Sequence, residues 1–170
     1  QVNPHFLYNT LDSVNWMLIA RGEMDISAVV VALGKLMQYS MDTARAMVSL
    51  EEEYRNVRDY LMIQKNRLED RLEFTLELDE PLKCFPVPKL ILQPLVENAI
   101  IHGLDGCANG YICIYAAQKD GILRISVTDD GCGMGQEMLD WMNSPNPAKR
   151  DGHLGLYNVI QILKLYYGEE

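Results

Sequence analysis

Leu72-Glu73-Phe74-Thr75-Leu76-Glu77-Leu78-Asp79 alternates apolar and polar residues at every step. A period of two belongs to a half-buried strand, because successive strand side chains point to opposite faces. The chain before it is punctuated differently. Between Pro4 and Pro81 there is no proline and only Gly22 and Gly34, whereas ten of the twelve glycines follow residue 100. The change of period at residue 72 therefore separates a helical first part from a mixed second part, and predicts an α+β fold.

Upstream, a helix begins at a capping box, Ser49 with Glu52 three residues on, and runs through Tyr54, Val57, Tyr60-Leu61 and Ile63 to end near Asn66–Glu69. Another covers Ile26–Ala44, with Ile26, Val29, Val30, Leu33 and Leu36-Met37 on one stripe. The first runs from Pro4 to Ile19, with Asn3 as N-cap and Pro4 as the first helical residue. Downstream, Pro86 and Pro88 mark a loop, and Pro88 opens a helix over Lys89–His102. Tyr111–Ala117 and Ile122–Thr128 form a hairpin about Asp120-Gly121. A short helix follows Gly135, a polar loop spans Asn143–Arg150, and a last helix covers Gly155–Tyr167.

At 170 residues this is one ordinary domain or two small ones. Apolar residues at 48% and charged residues at 23% are globular values, which exclude wholesale disorder and a membrane-protein composition. Fifteen cationic against 24 anionic side chains leave a net charge of −9, which argues against nucleic acid or anionic lipid as partner. A small anion then needs a local device. Cys84, Cys107, Cys113 and Cys132 form no C-x-x-C pair and are not spaced with His5, His102 or His153 as zinc ligands, so free thiols in a reducing compartment are expected. No apolar run approaches the ~20 residues of a membrane span and no signal peptide opens the chain. Its beginning at Gln1 and its end in the last turn of a helix suggest a piece of a longer protein.

Four stretches carry residue types suited to chemistry. In Asn3-Pro4-His5-Phe6-Leu7-Tyr8-Asn9, a helix puts His5 and Asn9 on one face, with Asp12 further along the same side. A neutral imidazole there is an available nucleophile; an ordinary surface histidine is the plainer alternative. In Leu92-Gln93-Pro94-Leu95-Val96-Glu97-Asn98-Ala99-Ile100-Ile101-His102-Gly103, polar Glu97, Asn98 and His102 interrupt an apolar helix. An amide oxygen and a carboxylate are hard donors suited to Mg²⁺ carried by a nucleotide, while a solvent-facing helix end would account for His102 alone. In Val127-Thr128-Asp129-Asp130-Gly131-Cys132-Gly133-Met134-Gly135, a carboxylate at a strand end precedes three alternate glycines. Asp129 can accept from an exocyclic amine such as adenine N6, and the glycines let backbone approach a ring; an acidic turn is the alternative. In Gly152-His153-Leu154-Gly155-Leu156-Tyr157-Asn158-Val159, glycines open a helix whose unpaired N–H groups attract an anion, with Lys149 and Arg150 just upstream; a flexible loop before a helix is the alternative.

In this order the four stretches resemble the H, N, G1 and G2 boxes of sensor histidine kinases. The closest resemblance is to the LytS/YesM type, whose acceptor box reads N-P-H-F-L-[FY]-N and whose N-box reads L-Q-P-L-V-E-N-A-[IV]-x-H-G. It covers nearly the whole chain, including Tyr60-Leu61-Met62-Ile63-Gln64-Lys65-Asn66-Arg67. It implies that residues 1–69 are dimerisation and phosphoacceptor helices. Residues 70–170 would form an α/β sandwich of the histidine-kinase/gyrase ATP-binding type, short of its last strands. His5 would be the phosphoacceptor, with Asn9 assisting the reverse reaction. Asn98, with Glu97, would hold Mg²⁺, and Asp129 would hold adenine in a pocket shaped by Gly131 and Gly133. Gly152 and Gly155 would flank the phosphates of ATP under a lid of residues 143–151, within reach of Lys149 and Arg150, and His102 and Leu156 would complete the ATP site. The implied partners are a response-regulator receiver domain and a second copy in a homodimer. The implied setting is the cytoplasmic side of a bacterial plasma-membrane sensor, with the membrane reached only through upstream segments.

Three features depart from common patterns. Phe6 follows His5 where other histidine kinases carry an acid, which leaves Asp12 as a distant candidate base. His153-Leu154 separates the G2 glycines where G-I-G-L is more usual. Pro94 stands four residues before Asn98, where hydrolytic relatives carry a carboxylate. The competing readings are an ATPase of the gyrase and MutL kind, and a non-catalytic dimerising module that docks a regulator.

Overall fold

The computed structural model describes residues 4–104, 106–144, 147–149 and 152–168. The elements are α1 (Pro4–Ala20), α2 (Met24–Met41), β1 (Met47–Ser49), α3 (Leu50–Leu68), β2 (Leu72–Glu77), β3 (Pro86–Pro88), α4 (Leu92–Asn98), β4 (Gly110–Lys119), β5 (Ile122–Asp129), α5 (Gln136–Met142) and α6 (Leu154–Tyr167). A wider π turn, Ala99–Gly103, continues α4. Asn3, expected to cap α1, lies outside the described residues. Among those described, no helix is long and apolar enough to cross a membrane.

The strand period builds a three-stranded sheet in the order β2-β4-β5, with β2 parallel to β4 and β4 antiparallel to β5. Asp120 and Gly121 both take positive φ (53° and 80°), as a tight two-residue hairpin turn requires. Ile112, Ile114 and Ala116 of β4 are buried, while Tyr111 and Tyr115 between them are exposed. Leu50, Tyr54, Val57 and Leu61 of α3 join one core with Leu72 of β2, Leu92 and Val96 of α4 and Val159 of α6. Helix α3 thus follows the helical part in sequence and packs with the sheet. Its capping box forms as expected: Ser49 Oγ accepts from Glu52 N at 3.2 Å, and Glu52 Oε2 accepts from Ser49 N at 3.0 Å.

Four expectations are corrected. Pro86 and Pro88 lie in a strand, not a loop: β3 pairs antiparallel with β1, Val87 opposite Val48. A two-stranded edge tolerates prolines, which have no N–H to leave unpaired. Pro88 therefore does not open the next helix; Leu90 turns through φ 62° and α4 starts at Leu92. Helix α2 stops at Met41, short of Ala44, because the Asp42 carboxylate accepts from Ala44 N (3.1 Å) and Arg45 Nε (3.1 Å) and stabilises a turn. The expected stripe of α2 is also only partly inward. Ser27, Ala32 and Leu36 are buried, whereas Ile26 and Leu33 remain exposed, as do Phe6, Trp16 and Met17 of α1.

One buried carboxylate joins three helices. Glu53 of α3 is fully buried and accepts from Leu90 N (2.7 Å), Ile91 N (2.9 Å) and Leu92 N (2.9 Å), so it caps the start of α4 from another helix. Its fourth donor is Tyr39 Oη of α2 at 2.5 Å. Burial, reinforced by the Glu53 carboxylate, pushes the Tyr39 phenol well above its ordinary range, which keeps it a donor. Lys89 lies over the Tyr39 ring, 4.7 Å from its centroid, and its ammonium donates to the Asp42 carbonyl.

Glu53→Gln replaces an acceptor-only carboxylate with an amide that must turn an N–H₂ towards backbone donors. Unfolding in urea should show a loss of about 1.5–3 kcal/mol, the worth of a charge-assisted hydrogen bond. Arg55→Ala, which removes only the exposed pair with Glu51, should shift stability by less than about 1 kcal/mol.

Candidate functional site

The end of β5 and the π turn after α4 meet so closely that side chains are excluded. A Cβ on Gly131 would lie 1.8 Å from the Gly103 carbonyl oxygen, and one on Gly103 would lie 2.6 Å from Asp129 Oδ1. Cys132 N donates to Gly103 O at 2.9 Å, and Gly131 N donates to Asp129 Oδ1 at 3.1 Å. Asp130 N and Oδ1 both bond the backbone of Tyr111, at 3.2 and 2.6 Å, which anchors the loop to β4. The result is an exposed Asp129 carboxylate held rigidly against bare backbone, with open space over Gly133 and Gly135. That arrangement suits a flat ring whose edge donates to the carboxylate.

Helix α6 closes on the same region. A Cβ on Gly155 would lie 3.1 Å from Pro94 Cβ, so this glycine permits close approach of α6 to α4. His153, immediately before α6, stacks on His102 at the end of the π turn, with ring centroids 4.7 Å apart and planes tilted by 41°. Trp141 of α5 lies 6.4 Å from the His153 ring and donates from Nε1 to Ala148 O at 2.7 Å. The structure thus gathers Asn98, His102, Asp129, Gly131 and Gly155 about the junction of α4, β5 and α6.

Several expected residues are placed differently within it. Leu156 is buried, so its side chain serves the core. Lys149 is exposed, and Arg150 lies outside the described residues. Gly152 takes φ 81° with open space around it. Glu97 turns one oxygen to Gln93 Nε2 at 2.8 Å, whereas the half-buried Asn98 carboxamide makes no hydrogen bond among the described residues and is available to a ligand. His5 and Asn9 stand apart on α1, which packs against α2. Their side chains face each other, Asn9 Nδ2 lying 3.3 Å from His5 Nδ1.

The sequence reading missed a relay behind the site. Asn56 Nδ2 of α3 donates to Gln93 Oε1 at 2.9 Å, and Gln93 in turn holds Glu97. The i, i+4 spacing of Gln93 and Glu97 was the available signal; Asn56, 37 residues away, gave none. Among the described residues, no group of three or more His, Cys, Asp or Glu side chains could hold a metal ion by itself. A cation here would need ligands from the nucleotide as well as Asn98.

Comparison with known proteins gives concordant matches. Residues 1–72 match the family model described as histidine kinase, and residues 87–170 match that of the histidine kinase-, DNA gyrase B- and HSP90-like ATPases. The chain is 40% identical to sensor histidine kinase YesM of Bacillus subtilis, over 99% of this chain and 28% of that protein. It is 30% identical to sensor histidine kinase YpdA of Escherichia coli, over 99% of this chain and 30% of that protein. It therefore spans less than a third of the length of these curated relatives. The histidine kinase domain of a blue-light activated histidine kinase of Erythrobacter litoralis shares the fold, with a TM-score of 0.52 at 19% identity, covering 94% of this chain and 84% of that one.

The two glycines of the G1 turn should respond differently to a methyl group. Gly131→Ala must displace the Gly103 carbonyl and should weaken nucleotide binding at least tenfold, read by titration calorimetry with ADP. Gly133→Ala, at φ 73° in open space, should cost about 1–2 kcal/mol of local backbone strain, with a smaller loss of affinity.

Proposed function

The chain belongs to the sensor histidine kinases of the YesM/YpdA type and is the histidine kinase core of a two-component sensor, and from that premise we propose that it transfers the γ-phosphoryl group of MgATP to His5 and then to a receiver-domain aspartate. The observation that carries this reading is the side-chain-free cradle of Gly103, Asp129 and Gly131, which follows directly on the helix that ends at Asn98, a carboxamide with no hydrogen bond among the described residues. ATP, with its Mg²⁺, would supply the reactive phosphoryl group and the leaving group. Asp129 accepts a hydrogen bond from the adenine amine, and Gly131 and Gly133 keep the ring face unobstructed. Asn98 offers its amide oxygen to the cation; Glu97, tied to Gln93, has one oxygen left for it. The N–H groups that open α6 would meet anionic oxygens, with Gly155 and His102 close by; Gly152, Lys149 and Arg150 are the further residues this reading assigns to the nucleotide. His5 attacks as a neutral imidazole, and catalysis rests on positioning and charge neutralisation.

Residues 1–69 and 70–170 divide this labour, acceptor against nucleotide. The exposed apolar side chains Phe6, Trp16, Met17, Ile26 and Leu33 support homodimerisation of the α1–α2 hairpin. The free thiols and acidic surface are consistent with a cytoplasmic kinase core below a membrane sensor. Against the gyrase-like ATPase reading stands Pro94. Four residues before Asn98 it packs beside Gly155 and offers no carboxylate to activate water.

In the full-length sensor, His5→Gln should abolish acid-labile label from ATP and leave phosphate release negligible. Rapid magnesium-dependent release by that variant would instead support the ATPase. Asp129→Asn should weaken ADP about ten- to hundredfold by loss of a charge-assisted hydrogen bond. Asn98→Ala should impair chiefly the magnesium-dependent part of binding, measured with and without the metal.

A further inference from the structure

Gln93 and Glu97 lie one turn apart on α4, and Gln93 Nε2 donates to Glu97 Oε1 at 2.8 Å. The two ends of a glutamine carboxamide are almost identical in size, so its partners decide which way it turns. Here both ends are engaged. Asn56 Nδ2, from α3, donates to Gln93 Oε1 at 2.9 Å, which leaves the N–H₂ end of Gln93 for Glu97. The donors therefore run in one direction, from Asn56 to Gln93 to the carboxylate. A carboxylate only accepts, so reversing the two amides would set Gln93 Oε1 against Glu97 Oε1 with no proton between them.

This direction is unfavourable for Asn56 itself. Its side chain is only 5% exposed, and its Oδ1 is buried with no hydrogen-bond partner among the described residues. An unpaired buried carbonyl destabilises a fold. A leucine of similar size would remove that carbonyl together with the donor to Gln93, so packing alone does not account for an asparagine here. Tyr60, one turn on from Asn56 in α3, does not share the task. Burial and then the Glu97 charge push its phenol up to about 12, but it makes no hydrogen bond to Glu97. The second Glu97 oxygen makes no hydrogen bond among the described residues, and neither does the carboxamide of Asn98, the next residue.

We propose that Asn56 and Gln93 are positioning residues for the cation that accompanies the nucleotide: they hold Glu97 by one oxygen and so keep its second oxygen free and pre-set for the metal. This rests on the reading of Glu97 and Asn98 as protein ligands of that cation. Asn56 acts through Gln93, by turning its N–H₂ end towards Glu97, and neither residue is needed to touch the nucleotide. Without that donor the Glu97 side chain regains its rotamer freedom, which must then be lost each time the cation binds. The effect belongs to the metal-dependent part of nucleotide affinity, and the metal-free part is indifferent to it.

The test is titration calorimetry of the full-length sensor with ADP, once with saturating Mg²⁺ and once with the metal chelated. The ratio of the two dissociation constants is the gain from the metal. Asn56→Leu and Gln93→Met should each lower that gain about two- to tenfold, the worth of one ordinary hydrogen bond, at unchanged metal-free affinity. The double variant should lower it no further than Gln93→Met alone, because Asn56 acts only through Gln93. In urea, Asn56→Leu should unfold at or above the wild-type midpoint, since the unpaired carbonyl is gone. A lower midpoint, with metal-free and metal-bound affinities falling together, would make the role structural and overturn the proposal. So would an unchanged gain in Asn56→Leu and Gln93→Met where Glu97→Gln lowers it, a result that leaves the nucleotide reading intact. An unchanged gain in Glu97→Gln removes the premise that Glu97 meets the cation, and the proposal falls with it.

Discussion

A carboxylate removed from water demands donors, and Glu53 takes them from the three successive backbone groups that begin another helix. Helix α4 has no side-chain cap of its own. Its start is therefore defined by α3, and with it the direction in which Asn98 leaves the helix six residues later. The fourth donor, Tyr39, brings the end of α2 to the same point. Helices α2, α3 and α4 are coordinated through two oxygen atoms. The cluster about Asp42, with the exposed Arg45, the half-exposed Glu52 and the nearly buried Lys89 ammonium, surrounds that junction with charge.

The nucleotide cradle depends on a different constraint, the absence of atoms. Gly103 and Gly131 let a π turn and a strand end come within contact of each other's backbone, and the Asp129 carboxylate is fixed by that contact. This explains why a short acidic turn can hold its shape while exposed. On the proposed reading, a protein of charge −9 would hold a polyanion through oriented backbone N–H groups and one cation, with little help from fixed basic side chains.

Much of this was legible in the residues. The capping box at Ser49, the alternation from Leu72 and the turn at Asp120-Gly121 are local signals, and each element formed where its signal lay. The motifs around Asn98 and Asp129 likewise sit on the helix and strand end expected for them. What was not legible was non-local. The helical stripe of Leu50, Tyr54, Val57 and Leu61 carries Glu53 inward, but nothing near it in sequence reveals the backbone donors it meets at a helix start 37 residues away. The β1–β3 ladder was hidden because prolines read as loop until a partner strand is known. Helix α2 has more apolar residues than its neighbours α1 and α3 can cover, so its stripe could not reveal which side faces inward.

Helix α3 has two obligations. One side fills the core beneath the sheet with Leu50, Tyr54, Val57 and Leu61, and another borders a cleft with Lys35 and Tyr39 of α2. A helix held on both sides restricts recombination. If an acceptor hairpin were exchanged between relatives, α3 could travel with neither partner alone without a mismatch at the other. Crossovers placed in the short run between Asp42 and Met47 would keep the sheet core intact but would separate Tyr39 from its native Glu53. Inheritance should therefore favour passing the two parts on together, and substitutions at Tyr39, Glu53 and Lys89 should arise in concert across lineages even though the three side chains are far apart in the gene.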